Sequence, residues 1–218
     1  MMAKADGIFS KLRGKVGGVV FYVVDGETYV REYVEEPKVG EPSPIQQLYR
    51  NKFGMASHFL RPLKVPVEFG FQDFRKGMRT GMNAAIGHAA KNAFYGGGVD
   101  PLQLIPAQLK VSMGPLTGAR SAQVSWLDDE HVRFSWENNI GEGSARHFDQ
   151  AMLVLYNAED QRVEYVLEGS YRSKEHEDVK VLRGKEHEGK LHAYISFHHY
   201  SRRTKKRTFS DSEYLGLV

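Results

Sequence analysis

The sequence predicts an α+β protein, because three kinds of pattern follow one another along the chain. A β-hairpin signal lies near the N-terminus, two stretches with helical periodicity follow it, and short alternating segments occupy the final part. The change from helical to alternating periodicity falls near Pro115 to Gly118. We therefore expect an N-terminal hairpin and helical region over residues 1–117 and a β-rich domain over residues 118–218.

The composition is that of a globular chain. Hydrophobic residues make up 41% and charged residues 26% of its 218 residues, which excludes a disordered or collagen-like protein. The formal charge of +3 is too small to indicate a polyanion binder by itself. Cysteine is absent, so disulfides and thiol chemistry are excluded. The apolar run over residues 17–24 is too short for a membrane span and lacks a cleavage site, so we expect a cytoplasmic protein.

Residues 18–34 have the pattern of a β-hairpin that turns at Asp25 and Gly26. Asp-Gly between two β-rich runs is a strong hairpin signal, because a type I′ turn needs positive φ at both central positions. The more apolar face of this hairpin is expected to face a core. The other face is either a second packing surface or an interface, and it carries Tyr22, Tyr29, Arg31 and Tyr33.

Two helices are expected between the hairpin and the boundary. The first begins after Ser43, with Pro44 at the first helical position and Gln46 completing a capping box. A second helix is expected over residues 79–94, before the glycines at 96–98. Apolar residues recur at helical spacing in the first helix and are expected to form one buried stripe, made of Ile45, Leu48, Tyr49, Phe53, Ala56, Phe59 and Leu60.

Seven short segments after residue 118 alternate between apolar and polar side chains. They are AQVSWL, HVRFSWE, QAMLVLYN, RVEYVLE, DVKVLR, KLHAYISFHH and SEYLGLV. Seven such strands are typical of an immunoglobulin- or fibronectin-like β-sandwich, here without the disulfide between its sheets. Phe134, Trp136 and Ile195 are expected to meet in the interior, and Tyr194 is a candidate for the corner tyrosine of such folds.

Seven further segments, spread over nearly the whole chain, carry a resemblance. They are AKADGIFSKLRGKVGGVVFY, TYVR, PSPIQQLYRNKF, KNA, SMGPLTGA, FSW and SDSEYLG, in that order. Together they resemble an uncharacterised protein family, widespread in Bacteroidetes, that is known only as a domain of unknown function. The family implies no reaction, cofactor or catalytic residue. Gln46, Arg50 and Phe53 also resemble a stretch of small phage-like proteins, which suggests a mobile-element origin by analogy.

Motifs for catalysis and cofactors are missing from the sequence. The glycines at 14–18 lack the spacing of a phosphate loop, and no HExxH, GxGxxG or nucleophile elbow occurs. The tetrapeptide KEHE occurs at 174–177 and 185–188, where solvated loops are expected. His192 and His198 are about 20 Å apart along one strand, so they cannot share a metal ion. We expect no cofactor, no metal and no enzymatic activity.

Besides an enzyme whose site no linear motif reveals, two functional hypotheses remain open. The first is a non-enzymatic binding or structural protein that uses the tyrosine-bearing hairpin face for an unknown protein partner or for self-association. The alternative is nucleic-acid binding through the basic run at 202–207, which supplies five cations for phosphate contact: Arg202, Arg203, Lys205, Lys206 and Arg207. Such a run is more often a solvated loop.

Overall fold

The computed structural model describes residues 2–5, 7–24, 26–35 and 40–218, so the predicted turn residue Asp25 lies outside the described residues. The chain forms two compact units, residues 1–47 and 48–218. Each unit has its own sheet structure and is described by itself. Within the described ranges, none of the helices combines the length and the apolar composition that crossing a bilayer requires.

The first unit contains a four-stranded antiparallel sheet with the strand order β1-β4-β3-β2. Tyr22 lies opposite Tyr29, so the register expected from a two-residue hairpin loop is confirmed. Gly26 has a φ of 82°, the positive value that this turn requires. The strands are β1 (Met2–Lys4), β2 (Gly14–Val16), β3 (Val19–Val24) and β4 (Glu27–Glu32).

A short 3₁₀ turn over Gly7–Lys11 covers the apolar face of this sheet. Its Phe9 ring stacks on Phe21 with the ring centroids 6.3 Å apart. Thr28 is buried on the same face and its hydroxyl donates to the carbonyl of Ser10. The tyrosines therefore lie on the face of the sheet that this turn leaves open.

Three α-helices follow the sheet: α1 (Pro44–Leu60), α2 (Lys64–Gly70) and α3 (Gly81–Asn92). The capping box of α1 is confirmed, because the amide of Ser43 donates to Oε1 of Gln46 (3.1 Å) and the amide of Gln46 donates to Oγ of Ser43 (3.3 Å). The hydroxyl of Thr80 accepts the amide of Asn83 (3.1 Å) and caps α3. Helix α2 was not expected, because proline usually interrupts a helix. Pro66 lies in the first turn of α2, where proline is tolerated.

The stripe predicted for α1 is buried only in its second half. Ala56, Phe59 and Leu60 belong to the core, whereas Ile45 is 68% and Phe53 58% exposed. The expectation of one continuous buried stripe is wrong, because only the last turns of α1 pack against a sheet.

The second unit contains a five-stranded, a three-stranded and a two-stranded antiparallel sheet. The five-stranded sheet has the order β10-β9-β12-β13, and β14 also pairs with β12. It consists of β9 (Gln150–Asn157), β10 (Arg162–Val166), β12 (Leu191–Ser201), β13 (Lys206–Phe209) and β14 (Glu213–Leu217). The three-stranded sheet consists of β7 (Gln123–Trp126), β8 (His131–Ser135) and β11 (His176–Lys180), and the two-stranded sheet of β5 (Phe94–Tyr95) and β6 (Gln103–Leu104).

The five-stranded sheet is buried on both faces. On one face Ile195 and Phe197 of β12 pack with Phe134 and with Trp136, which follows β8, so the interior expected for the two sheets is present. On the other face, the helices pack against alternate residues of β9 and β12, including Tyr194. The Tyr194 hydroxyl donates to the carbonyl of Pro106 (2.9 Å) on that helical side. The unit therefore has three layers: helices, five strands and three strands.

All seven alternating segments form strands, and β13 is an eighth that was not expected. It begins at Lys206, inside the basic run, where side-chain charge hides the strand pattern. The boundary expected near residues 115–118 falls inside the second unit. The physical reason is that helices before this boundary and strands after it share one core.

A fully buried ion pair joins the loops at one end of the two packed sheets. Nε of Arg172 lies 3.3 Å from Oδ2 of Asp149, and neither side chain is accessible to solvent. The guanidinium also donates to Oδ1 of Asn139 (2.6 Å) and to the carbonyls of Thr117 and Gly118 (2.8 Å each). Burial lowers the pKa of Arg172, while the carboxylate of Asp149 opposes that effect.

The same arginine contacts the core of the two sheets. Its guanidinium carbon lies 3.8 Å from the centroid of the Phe197 ring, and its backbone carbonyl accepts the indole N–H of Trp136 (2.8 Å). The buried charge is therefore satisfied by hydrogen bonds and by an aromatic face.

We expect Arg172→Met to lower the free energy of unfolding by about 3–5 kcal/mol, because it leaves the buried carboxylate of Asp149 without its cationic partner and the carbonyl of Thr117 without its guanidinium donor. Urea denaturation measures this change. The matched control is Lys185→Met, which breaks the exposed Lys185–Asp129 ion pair and is expected to leave stability unchanged. Equal stability of both variants and the wild type would contradict this role of Arg172.

Candidate anion-binding cleft

The predicted basic run forms the turn between β12 and β13 and the start of β13. Arg202, Arg203, Lys205 and Lys206 are exposed, whereas Arg207 is half-buried. Lys205 adopts a left-handed conformation with a φ of 53°. The structure therefore separates one partly buried arginine from four exposed cations.

A cleft of about 440 Å³ lies between this turn and the segment that follows α2. Its size falls within the range typical of ligand sites. Four of its side chains are cationic and one is a carboxylate, so the cleft favours an anion. It is lined by Gln72, Asp73, Arg75, Tyr200, Lys205, Lys206 and Arg207.

Gly70 is the last residue of α2, and the lining residue Arg75 follows it five positions later in the chain. A Cβ atom at Gly70 would lie 2.3 Å from the carbonyl oxygen of Val111, so only glycine allows this approach. The amide of Met113 donates to the carbonyl of Gly70 (3.3 Å). The segment over residues 111–113 therefore holds the helix end in place.

Arg207 is held on several sides. It forms an ion pair with Glu168, and its Nη1 donates to Nδ1 of His198 (3.3 Å). Its guanidinium carbon lies 4.9 Å from the centroid of the Phe69 ring and 5.5 Å from that of Tyr200. These contacts orient the guanidinium before any ligand arrives, which lowers the entropy cost of binding.

His198 supports this arrangement from the core. Its Nε2 donates to the carbonyl of Leu167 (2.7 Å), which leaves Nδ1 as the acceptor for Arg207. Burial lowers the pKa of His198 to about 4; the hydrogen bond to Leu167 opposes this shift and the charge of Arg207 adds to it. The imidazole is therefore neutral at pH 7.

The cleft includes three of the five cations predicted for polyanion contact: Lys205, Lys206 and Arg207. Arg202 and Arg203 belong to the same turn but do not line the cleft.

Four further lining residues were missed by sequence reasoning: Gln72, Asp73, Arg75 and Tyr200. Tyr200 shares the strand alternation of His198, which was a usable signal. No such signal pointed to Arg75, because this residue is far from the basic run along the chain. Among the described residues, Nε2 of Gln72 is buried and has no hydrogen-bond partner, so this donor is not committed to the fold.

The tyrosine-bearing hairpin face lies in the first unit. The rings of Tyr22 and Tyr29 stack with their centroids 6.1 Å apart, and Arg31 is exposed. Nζ of Lys15 lies 3.3 Å from the centroid of the Tyr33 ring. This contact gives the face a cationic and aromatic character.

The KEHE segments are more structured than expected. His176 lies in β11. His187 is buried, and its Nδ1 lies 3.1 Å from Nδ2 of Asn157. The expectation of solvated loops is therefore wrong for His187. In the part of the chain that the structure describes, no three His, Asp or Glu side chains are grouped to hold a metal ion.

Together, the fold and the cleft define an α+β protein in which helices cover an antiparallel sheet beside an open basic cleft. Residues 10–216 match the model of a family described as a family of unknown function (DUF6266), and the chain belongs to that family. No curated protein and no solved structure matches the chain.

Between pH 7 and pH 5, we expect the wild type to lose about 2 kcal/mol more of its unfolding free energy than His198→Gln. In the unfolded chain His198 takes up a proton near its ordinary pKa of 6.5, whereas in the folded protein it does so only near 4. Acid therefore favours unfolding in this window. Urea denaturation at both pH values checks the result, and parallel losses in both proteins would contradict it.

Proposed function

We propose that the protein is a non-enzymatic binding protein whose ligand is a single-stranded nucleic acid held in the basic cleft. One observation carries this proposal: four cations and an exposed tyrosine line the same cleft, with Arg75 contributed by the segment after α2 and the other four residues by the hairpin over 200–207. Proteins that bind single strands without sequence preference combine these two features, a cationic groove and an aromatic surface.

The charge of the cleft supports contact with a phosphate backbone. Lys205 and Lys206 lie at the mouth of the cleft and are exposed, so they can neutralise successive phosphates. Arg207 is already oriented by Glu168, which offsets part of its charge. We assign Arg207 the role of a fixed hydrogen-bond donor, while the lysines supply the salt-sensitive part of the affinity.

Tyr200 supports a nucleic acid over other polyanions. Its ring is 49% exposed, and Tyr200 pairs with Arg207 across β12 and β13. A base can stack on this ring while its phosphate contacts the neighbouring cations. Such stacking contributes about 1–3 kcal/mol per base.

The side chains of the cleft favour binding over catalysis. Nδ1 of His198, which supports Arg207, accepts from that arginine and is not available as a general base. Asp73 is the one carboxylate among the residues that line the cleft as described. A nucleophile and base within hydrogen-bonding distance of each other, which hydrolysis requires, do not occur in this lining.

Two finer interpretations from the sequence belong to the same proposal. An immunoglobulin- or fibronectin-like relationship is supported by two packed antiparallel sheets whose interior contains Trp136. An origin in a mobile element is supported by the spacing of Gln46, Arg50 and Phe53. Both interpretations are compatible with a binding role.

The double variant Lys205→Gln/Lys206→Gln is expected to bind a labelled oligothymidine about tenfold more weakly than the wild type at low salt. The slope of log affinity against log salt is expected to become shallower by about 1.4, since each lost phosphate contact on a single strand contributes about 0.7. Fluorescence anisotropy across a salt series measures both quantities. The matched control is Arg202→Gln/Arg203→Gln, which removes two charges from the same turn but outside the cleft and is expected to have the smaller effect.

Tyr200→Leu separates stacking from charge. We expect it to lower oligothymidine affinity by about tenfold while leaving the binding of inorganic polyphosphate unchanged. Absence of oligothymidine binding at about 50 mM salt, or equal losses in the two double variants, would overturn the cleft as a nucleic-acid site.

A second candidate function is supported by the hairpin face. The stacked pair of Tyr22 and Tyr29, together with Tyr33 under Lys15, forms an aromatic surface on the open side of the first sheet. Aromatic residues are enriched in protein interfaces because they bury a large area at low entropy cost. We propose that this surface mediates self-association.

Sedimentation velocity is expected to show a dimer for the wild type and a monomer for Tyr29→Glu, because a carboxylate within the interface carries a desolvation cost. Tyr165→Glu places the same charge on an exposed tyrosine of the second unit and is expected to leave the dimer intact. A wild type that stays monomeric at all concentrations would exclude self-association.

A further inference from the structure

A second groove lies beside α3, on the other side of the short segment that lines the cleft. Its volume is about 230 Å³, which suits a small ligand. Phe71, Phe74, Ala84 and Met113 supply its apolar part. Its polar part is lined by residues with basic or amide side chains: Arg79, His88, Lys91 and Asn92. Gly87 completes the lining.

The groove combines an apolar floor with a cationic rim. Phe71 is buried and the Phe74 ring is tilted against it, with the two ring centroids 5.5 Å apart. Arg79 and Lys91 are exposed, and no carboxylate belongs to the described lining. This combination is complementary to a ligand with an apolar body and one negative charge.

Gly87 provides an independent observation. It lies in the middle of α3, where glycine destabilises a helix relative to alanine. A Cβ atom at this position would meet no atom within 4 Å, so packing within the protein does not require glycine here. The open space in front of Gly87 belongs to the groove, and a ligand lying against the helix backbone would use it.

His88 gives a third observation on the same helix. Its Nδ1 is buried and has no hydrogen-bond partner among the described residues, and a buried polar atom in this state is rare. Burial is the main cause that lowers the pKa of His88; the charge of Lys110 adds to it and Asp211 opposes it. The imidazole therefore lines the groove in its neutral form.

We propose that this groove binds a small monocarboxylic acid with an apolar body, of the class of medium-chain fatty acids. The apolar body lies on Phe74 and Met113, which are partly exposed, and extends along the open surface of Gly87. The carboxylate lies at the rim, where Arg79 and Lys91 neutralise it. The backbone of Arg79 is fixed for this role by two hydrogen bonds with Lys76 (3.1 Å each).

The experiment uses the full chain and sodium octanoate below its micellar concentration, with octanamide as the neutral ligand of matched size. Isothermal titration calorimetry is expected to show octanoate binding at least about tenfold more tightly than octanamide, because only the acid gains charged hydrogen bonds. Amide resonances of residues 84–92 are expected to shift in NMR spectra. Equal affinities for the two ligands, or no binding of octanoate, would overturn the proposal.

Two variants locate the site on α3. Gly87→Leu fills the open space and is expected to abolish binding of both ligands, whereas Gly87→Ala raises the melting temperature and shows that the helix tolerates a side chain here. Lys91→Gln is expected to weaken octanoate about tenfold and to leave octanamide unchanged. Lys185→Gln removes an exposed charge on the three-stranded side and serves as the matched control. Wild-type affinity in Gly87→Leu or in Lys91→Gln would contradict the assignment.

These variants leave the basic cleft intact, because neither Gly87 nor Lys91 belongs to its lining. Loss of octanoate binding with unchanged oligothymidine binding is therefore the expected result for Gly87→Leu. The proposals for the groove and for the nucleic-acid cleft are therefore tested independently, because the two sites share no lining residue.

Discussion

Burial of β9 and β12 on both faces is the constraint on which the second unit depends. Alternate side chains of β12 enter two different cores, with Ile195 and Phe197 on the side of the three-stranded sheet and Tyr194 on the side of the helices. A shift of one residue in register would exchange these two sets. Because Tyr200 and His198 follow Tyr194 on the helical side, the same register that fills the cores also places the aromatic ring and the buried imidazole at the cleft.

Two buried polar side chains fix loops that apolar packing alone would leave variable. Arg172 connects Asp149, Asn139 and the chain at Thr117 and Gly118. His198 connects Leu167 to Arg207. Each group is costly to bury without partners, so alternative loop arrangements that lack these partners are disfavoured. The polar contacts therefore specify one arrangement of the loops, while the apolar layers supply most of the stability.

Local signals in the sequence predicted local structure well. The capping box at Ser43 and Gln46 and the alternation of the seven strand segments depend on neighbours in sequence, and the structure confirms both. The exposed first half of α1 was not predictable, because periodicity shows which side of a helix is apolar and not how far the partner surface extends. The cleft was predictable only in part, since Arg75 and Lys205 meet through packing between distant segments.

The outer edge of β12 is completed by two short strands in succession. β13 pairs with residues 198–201 and β14 with residues 192–195, while the amide of Ser210 donates to the carbonyl of Phe197 between them (2.8 Å). Both partners follow β12 along the chain. During translation this edge of β12 therefore stays unpaired until residues 206–217 have left the ribosome, and an unpaired edge is open to pairing with strands of other chains.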